Sequence, residues 1–196
     1  MHDIPFELTY LGPAEGYIER ITTHAWSGDV PGFGRIDLKF PIKIIDSNHS
    51  VLLSAAWGEQ FPSVTFAGVG FRYYLRMAMM KLTVNEWEAV FKRRRLAVTR
   101  RGRALRINIC GRDYRYQVLA GKRQHALTRD GATVTTTRSE WRHPRKISGV
   151  ARGNIDNVDI ALAVALQSMY TRNLTSAGAL YSLPGRMLSR ADMPDF

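Results

Sequence analysis

Four arginines, Arg93, Arg95, Arg101 and Arg103, are the residues whose type and spacing point most directly to chemistry, and that chemistry is anion binding. Arg93 and Arg95 are two apart, so on a strand they share a face. Arg100-Arg101-Gly102-Arg103 reads as a turn that carries charge at a loop tip. A guanidinium offers a planar fork of N–H donors that matches phosphate and carboxylate oxygens. If their strands are neighbours, the four side chains form a compact cationic pocket for a phosphate or a lipid head group. Their surroundings strengthen the reading. From Ala89 to Arg152 there are 18 Lys or Arg against three acids, Asp113, Asp130 and Glu140, while the whole chain carries +11 at pH 7. The rest of the chain is therefore net acidic, and the field of this middle segment favours an anionic partner: a lipid head-group surface, nucleic acid or an acidic protein.

Other chemistry is poorly represented. The five histidines, His2, His24, His49, His125 and His143, show no pair at a helical metal spacing and no acidic neighbour that would make a zinc site or a catalytic triad. Asp46 with His49 fits a turn better than an acid–base pair. Cys110 is the single cysteine, which rules out an intrachain disulfide; it lacks a nucleophile context and suits a small buried side chain. Gly68-Val69-Gly70-Phe71 is too short for a dinucleotide fingerprint, and there is no Walker-type loop. No catalytic residue, metal ligand or cofactor is assigned, and an enzyme is the least supported class. Tyr114, Tyr116 and Trp141 could stack on unpaired bases. The tyrosines alternate with Arg115 and Gln117, however, which places them inside a sheet structure and leaves phosphate contact without base recognition.

What must position the basic segment is a set of short strands and one apolar helix. Ile36, Leu38, Phe40, Ile42 and Ile44 alternate with polar residues or Pro41, the period of a half-buried strand. Pro41 has no N–H to give, so this strand is expected at an edge or interrupted there. A turn at Asp46–His49 and a strand at Val51–Trp57 make a hairpin. Loops are expected to dominate residues 1–34, apart from a strand at Gly16–Trp26, and also residues 58–70. A strand is expected over Phe71–Met80. Thr83-Val84-Asn85-Glu86 fits a capping box opening a helix to Arg94, whereas Trp87–Phe91 also reads as a strand. Leu96 and Val98, then Leu105, Ile107 and Ile109, then Tyr114, Tyr116 and Val118, then His125–Thr128 and Thr133–Arg138 recur at meander spacing. Turns at Arg100–Arg103, Gly111-Arg112, Gly121 and Asp130-Gly131 separate them. A polar connection over Trp141–Asn154 leads into Asp156–Tyr170. There Ile160–Leu166 has no polar face, so the helix must be enclosed.

The segment from about Arg106 to Met169 resembles the tubby C-terminal-like superfamily, which includes the LURP-one-related and phospholipid-scramblase-like proteins. Gly-Arg-Asp-Tyr at 111–114, Leu-Thr-Arg-Asp-Gly at 127–131, Gly149-Val150 and Asp159–Leu166 fall in an order similar to that family's strand, turn and central-helix pattern. The match covers about a third of the chain. It implies a roughly twelve-stranded barrel threaded by a hydrophobic helix, and in some members binding of phosphoinositide head groups through surface Lys and Arg.

The expected fold is thus mainly β: an antiparallel barrel or closed sandwich of short strands around a central hydrophobic C-terminal α-helix. One domain spans 1–172, with the buried helix at about 157–170, and 173–196 forms a tail or short helix. The expected function is a non-enzymatic binding module with a basic surface for a lipid head group or phosphate. The alternatives are sequence-nonspecific nucleic-acid binding, or assembly with a protein partner through residues 174–196, where Leu180, Leu183, Met187 and Leu188 would form an apolar patch. The N-terminus lacks a signal-peptide pattern and no stretch is long enough to span a membrane. The expected place is the cytoplasm, with or without peripheral attachment to a membrane.

Overall fold

Period-two burial builds almost every element. The computed structural model of the chain describes residues 3–14, 21–44, 51–71, 74–75, 80–92, 102, 104–119, 123–140, 144–169, 171 and 174. Its first arm holds β1 (Ile4–Ala14), β2 (Ile21–Val30), β3 (Gly34–Ile44), β4 (Val51–Trp57), β5 (Val64–Phe71), β6 (Tyr74–Leu75), β7 (Lys81–Val84) and β8 (Trp87–Glu88). The second holds β9 (Val90–Lys92), β10 (Leu105–Ile109), β11 (Arg112–Val118), β12 (Gln124–Arg129), β13 (Ala132–Arg138) and β14 (Lys146–Gly153), followed by one helix, α1 (Asn157–Ala165). Along β10, Leu105, Ile107 and Ile109 are buried while Arg106 and Asn108 face out, and β11 alternates in the same way.

Thirteen strands follow one antiparallel path, β8-β7-β5-β4-β3-β2-β1-β14-β13-β12-β11-β10-β9, with β6 paired to β5 beside it. The β1–β14 pair joins the two arms. At the far ends, Trp87-Glu88 pairs with β7 and Val90–Lys92 pairs with β10. One short run of chain therefore bridges both ends, and the barrel is nearly closed.

The helix fills this barrel, touching β3, β4 and β5 from one arm and β12 and β13 from the other. Ile160 to Leu166 are at most 1% exposed. Asp156 is the N-cap of a reciprocal capping box: its carboxylate accepts from Asp159 N at 3.1 Å, and Asp159 accepts from Asp156 N at 3.0 Å. Beyond Ala165 the chain tightens into a 3-10 turn, Leu166–Ser168, where the Ser168 hydroxyl donates to Ala165 O at 2.8 Å. Two tyrosines of β11 hold opposite ends of the helix. Tyr114 donates to Asp159 at 2.9 Å and Tyr116 donates to Leu166 O at 3.1 Å. Both are buried, as their alternation with Arg115 and Gln117 predicts. On the opposite wall, Trp26 stacks on Phe40 at 4.3 Å and donates its indole N–H to Pro144 O at 2.8 Å.

Several expectations need correction. Residues 1–34 are dominated by two long strands, not loops; the β1–β2 register shifts between Tyr10 and Gly12, and Gly12 and Pro13 continue the strand opposite Ala25 and His24. Residues 58–70 contain most of β5, whose inner face mixes large and small side chains and so shows no clean alternation. The connection over Trp141–Asn154 contains β14, the strand that joins the arms. Its inward residues are Ile147, Gly149 and Ala151, of which the last two are too small to extend a core stripe. A Cβ on Gly149 would fall 2.0 Å from the Phe6 ring, so only glycine lets that ring lie against the strand.

Other expectations are met or narrowed. β3 lies between β2 and β4 and not at an edge, and its register with β2 shifts between Thr22 and Thr23, opposite Pro41–Lys43, so the proline marks an interruption. Residues 81–92 are strands and not a helix, with Asn85 at φ 51 in the turn between β7 and β8. The turns at 46–49 and 121, the turn at 100–103 apart from residue 102, the strand at 96–98, and the tail from 175 onward lie outside the described residues.

Candidate anion-binding site

The meander places three cations in a row on the outer wall of the barrel. Arg106 on β10 stands directly opposite Lys92 on β9 and directly opposite Arg115 on β11, and Thr128 on β12 stands opposite Arg115. Ile107, Tyr114 and Tyr116 point inward, so the cations between them point out. With strands about 4.8 Å apart, the row spans roughly 10 Å across the sheet. It lies along an open cleft of about 990 Å³ that Val90, Asn108, Asp113, Arg129 and Asp130 also line.

Elsewhere on the exterior, some cations are matched with acids, Lys146 with Glu7 at 2.8 Å, Arg152 with Asp3 at 2.7 Å and Lys81 with Glu88 at 3.0 Å, while Lys39 and Arg145 lie over the rings of Trp57 and Tyr10 and Arg123 donates to Ser139 O. Among the described residues, Lys92, Arg106 and Arg115 make no ion pair. Like charges directly opposite each other in a sheet repel, by up to about 1 kcal/mol per pair. The row is therefore a local cost to the fold.

Two nearby arginines are already engaged at the barrel mouth. Arg129 donates through Nε and Nη2 to the two oxygens of Asp159, each at 2.7 Å, and through Nη2 to Asn154 O at 2.7 Å. Arg112 donates to Asp156 at 2.5 Å. Hydrogen bonding to Tyr114 and then to Asp156 pushes the Arg112 guanidinium above its usual range, and hydrogen bonding to Asp159 does the same for Arg129. Burial pushes the Tyr114 hydroxyl up as well. This network fastens the start of the helix to β11 and β12, so its arginines serve the fold.

The remaining candidates have structural places. His125 is fully buried, stacked on Tyr116 at 5.6 Å, with Nε2 3.3 Å from the Thr171 hydroxyl. Burial, and then the charge of Arg138, hold its pKa well below the ordinary histidine value. His24 forms a 2.5 Å hydrogen bond with Tyr10. Cys110 is a free thiol in the β10–β11 turn. Arg93, Arg95, Arg101 and Arg103, as well as His2, His49, His143 and Trp141, lie outside the described residues.

Sequence reasoning missed the row because the turn was placed one residue late. A turn at Gly111-Arg112 would put Arg115 opposite Asn108. The turn forms instead at Cys110-Gly111, with φ of 52 and 70, which sets Ile109 against Arg112 and hence Arg106 against Arg115. Those two positive φ angles are those of the tight hairpin turn that matches strand twist. Alternation alone does not find it: Arg112 lies on the same inward face as Ile109, and moving the loop by one residue shifts each residue's partner by two and leaves every face as it was.

Fold and site together define a class: an antiparallel β-barrel nearly closed around a short buried helix, with a basic cleft on its outer wall. Comparison with family models, with characterised proteins and with solved structures finds no match for this chain.

Proposed function

We propose that the chain is a non-enzymatic binding module that holds a phosphate-bearing ligand, free or as a lipid head group, on Lys92, Arg106 and Arg115. The observation that carries this reading is the row of directly opposed cations with no ion-pair partner among the described residues. Without an anion the row repels itself. Phosphate oxygens that accept from two guanidinium groups and an ammonium turn that repulsion into shared attraction.

A lipid surface is favoured as one source of the phosphate by two exposed apolar side chains within five residues of Lys92 in the chain. Trp87 is 67% exposed and Val90 55%, on the short run of chain that bridges the barrel ends. Tryptophan suits a membrane–water interface. The likeness to the tubby C-terminal-like superfamily belongs to the same proposal and is supported by a helix apolar on every side within an antiparallel barrel. With it goes a place in the cytoplasm or at the face of a membrane. No helix among the described residues is long and apolar enough to cross one.

The test is binding of the purified chain to inorganic phosphate, to phosphatidylserine-containing vesicles and to single- and double-stranded oligonucleotides over a salt series, beside an Arg106→Gln/Arg115→Gln variant. Phosphate and vesicles should bind at low salt, and the variant should lose at least about tenfold in affinity. Duplex binding with a log–log salt slope of roughly −3 would instead mark three phosphate contacts to nucleic acid. A wild type that binds none of these, or a variant that binds like the wild type, contradicts the proposal.

A further inference from the structure

The cleft is bipolar, and its second pole narrows the ligand. Asp113 lies two residues before Arg115 on β11, and Asp130 two residues after Thr128, the residue opposite Arg115. Both carboxylates therefore stand on one side of the cation row, about 7 Å along the strands, and both line the same cleft. Asn108, directly opposite Asp113, donates its side-chain N–H to Asp113 Oδ1 at 2.9 Å and fixes the carboxylate's direction. Among the described residues, neither aspartate is ion-paired to Lys92, Arg106 or Arg115. Opposite charges thus share one open cleft without neutralising each other.

We infer that the ligand of this site is a zwitterionic aminoalkyl phosphate, with its phosphate on Lys92, Arg106 and Arg115 and a primary ammonium on Asp113 and Asp130. The inference rests on the phosphate reading above and deepens it. A polyanion lying along the strands would bring its second charge against the two carboxylates and be repelled. A phosphate and an ammonium joined by a short alkyl linker match both poles. A quaternary ammonium would call for aromatic faces, but Tyr114, the aromatic residue lining the cleft among the described residues, is buried with its hydroxyl on Asp159. Carboxylates serve a primary ammonium, which has N–H groups to donate.

The experiment is calorimetric titration of the full chain at low salt with O-phosphoethanolamine and with ethyl phosphate, its amine-free counterpart. A second arm compares vesicles of phosphatidylcholine with the same vesicles doped with phosphatidylethanolamine. The aminophosphate should bind about tenfold tighter than ethyl phosphate. In Asp113→Asn/Asp130→Asn that preference should vanish, while ethyl phosphate binds as well as before or better because two repelling charges are gone. Preference for the amine in both arms assigns a lipid head group; preference for the free compound alone assigns a soluble aminophosphate. Equal affinity for the two phosphates in the wild type, or a preference that survives in the double variant, overturns the ammonium inference and leaves phosphate binding standing. If neither phosphate nor either vesicle binds, the phosphate reading falls and this inference with it.

Discussion

Arg106 and Arg115 stand directly opposite each other on adjacent antiparallel strands, on the outer wall of the barrel. A sheet selected for stability alone would not keep that pair. Arg115→Thr should therefore stabilise the chain by about 0.5 kcal/mol at low ionic strength, since it removes a like-charge pair and puts a β-branched residue on a strand. Salt should shrink the part that comes from charge. Urea denaturation at low and high salt checks this, and a variant less stable than the wild type at both would remove the repulsion argument.

The Arg129–Asp159 pair makes a different kind of contribution. Asp159 is 2% exposed, accepts from Arg129, Tyr114 and Asp156 N, and sits in the first turn of the helix. Asp159→Ala leaves a half-buried guanidinium and a buried hydroxyl without their acceptor, and should cost about 3 kcal/mol. Urea midpoints for the wild type and the variant measure it. A loss below about 1 kcal/mol, the range of an exposed ion pair, would mean that the network does not hold the helix in place.

His125 supplies a pH dependence with a definite sign. Its folded pKa lies below the unfolded value of about 6.5, so on acidification the unfolded chain takes up the proton first. The stability it confers is complete above about pH 6.5 and falls below that, by up to about 1.4 kcal/mol per pH unit. Denaturation between about pH 7.5 and 5.5 should show this slope in the wild type. In His125→Gln the slope should be flatter, whatever the variant's absolute stability. Equal slopes would mean that His125 titrates in the folded barrel as it does in the open chain.

The helix centre tolerates no charge. Leu162 is fully buried between strands of both arms. Leu162→Asp places an unpaired carboxylate there, at several kcal/mol against a total stability of about 5–15. The expected product is unfolded by circular dichroism, and a soluble variant with cooperative melting would refute the enclosed-helix account.

How much of this the sequence disclosed depends on how each residue advertises its surroundings. Ile160–Leu166 leaves no polar face at any helical angle, so enclosure follows directly from the sequence. β10 and β11 are readable because Leu, Ile, Tyr and Val alternate strictly with charged or polar residues, whereas β12 buries His125, Ala126 and Leu127 in succession and β13 turns Thr136 and Arg138 inward, so those two strands are read from the Asp130-Gly131 turn between them. β14 escapes notice because Gly149 and Ala151 face inward, the glycine required by Phe6 on the neighbouring strand; that reason lies more than a hundred residues away in sequence. β1 escapes because Gly12 and Pro13 look like loop residues, although they follow a register shift and continue the strand. The cation row was one turn residue out of reach. Cys110 adopts a positive φ that its side chain does not announce, and that angle selects which arginine faces which.

The central claim, that Lys92, Arg106 and Arg115 form one anion site, is tested most directly by the affinity of inorganic phosphate at low salt. Calorimetry would compare the wild type with Lys92→Gln, Arg106→Gln and Arg115→Gln, singly and together. The account predicts that each single change weakens binding by about three- to tenfold and that the triple change abolishes it, while the melting temperature without phosphate is unchanged or raised. A triple variant that binds phosphate as tightly as the wild type, or a wild type that binds none, would contradict it.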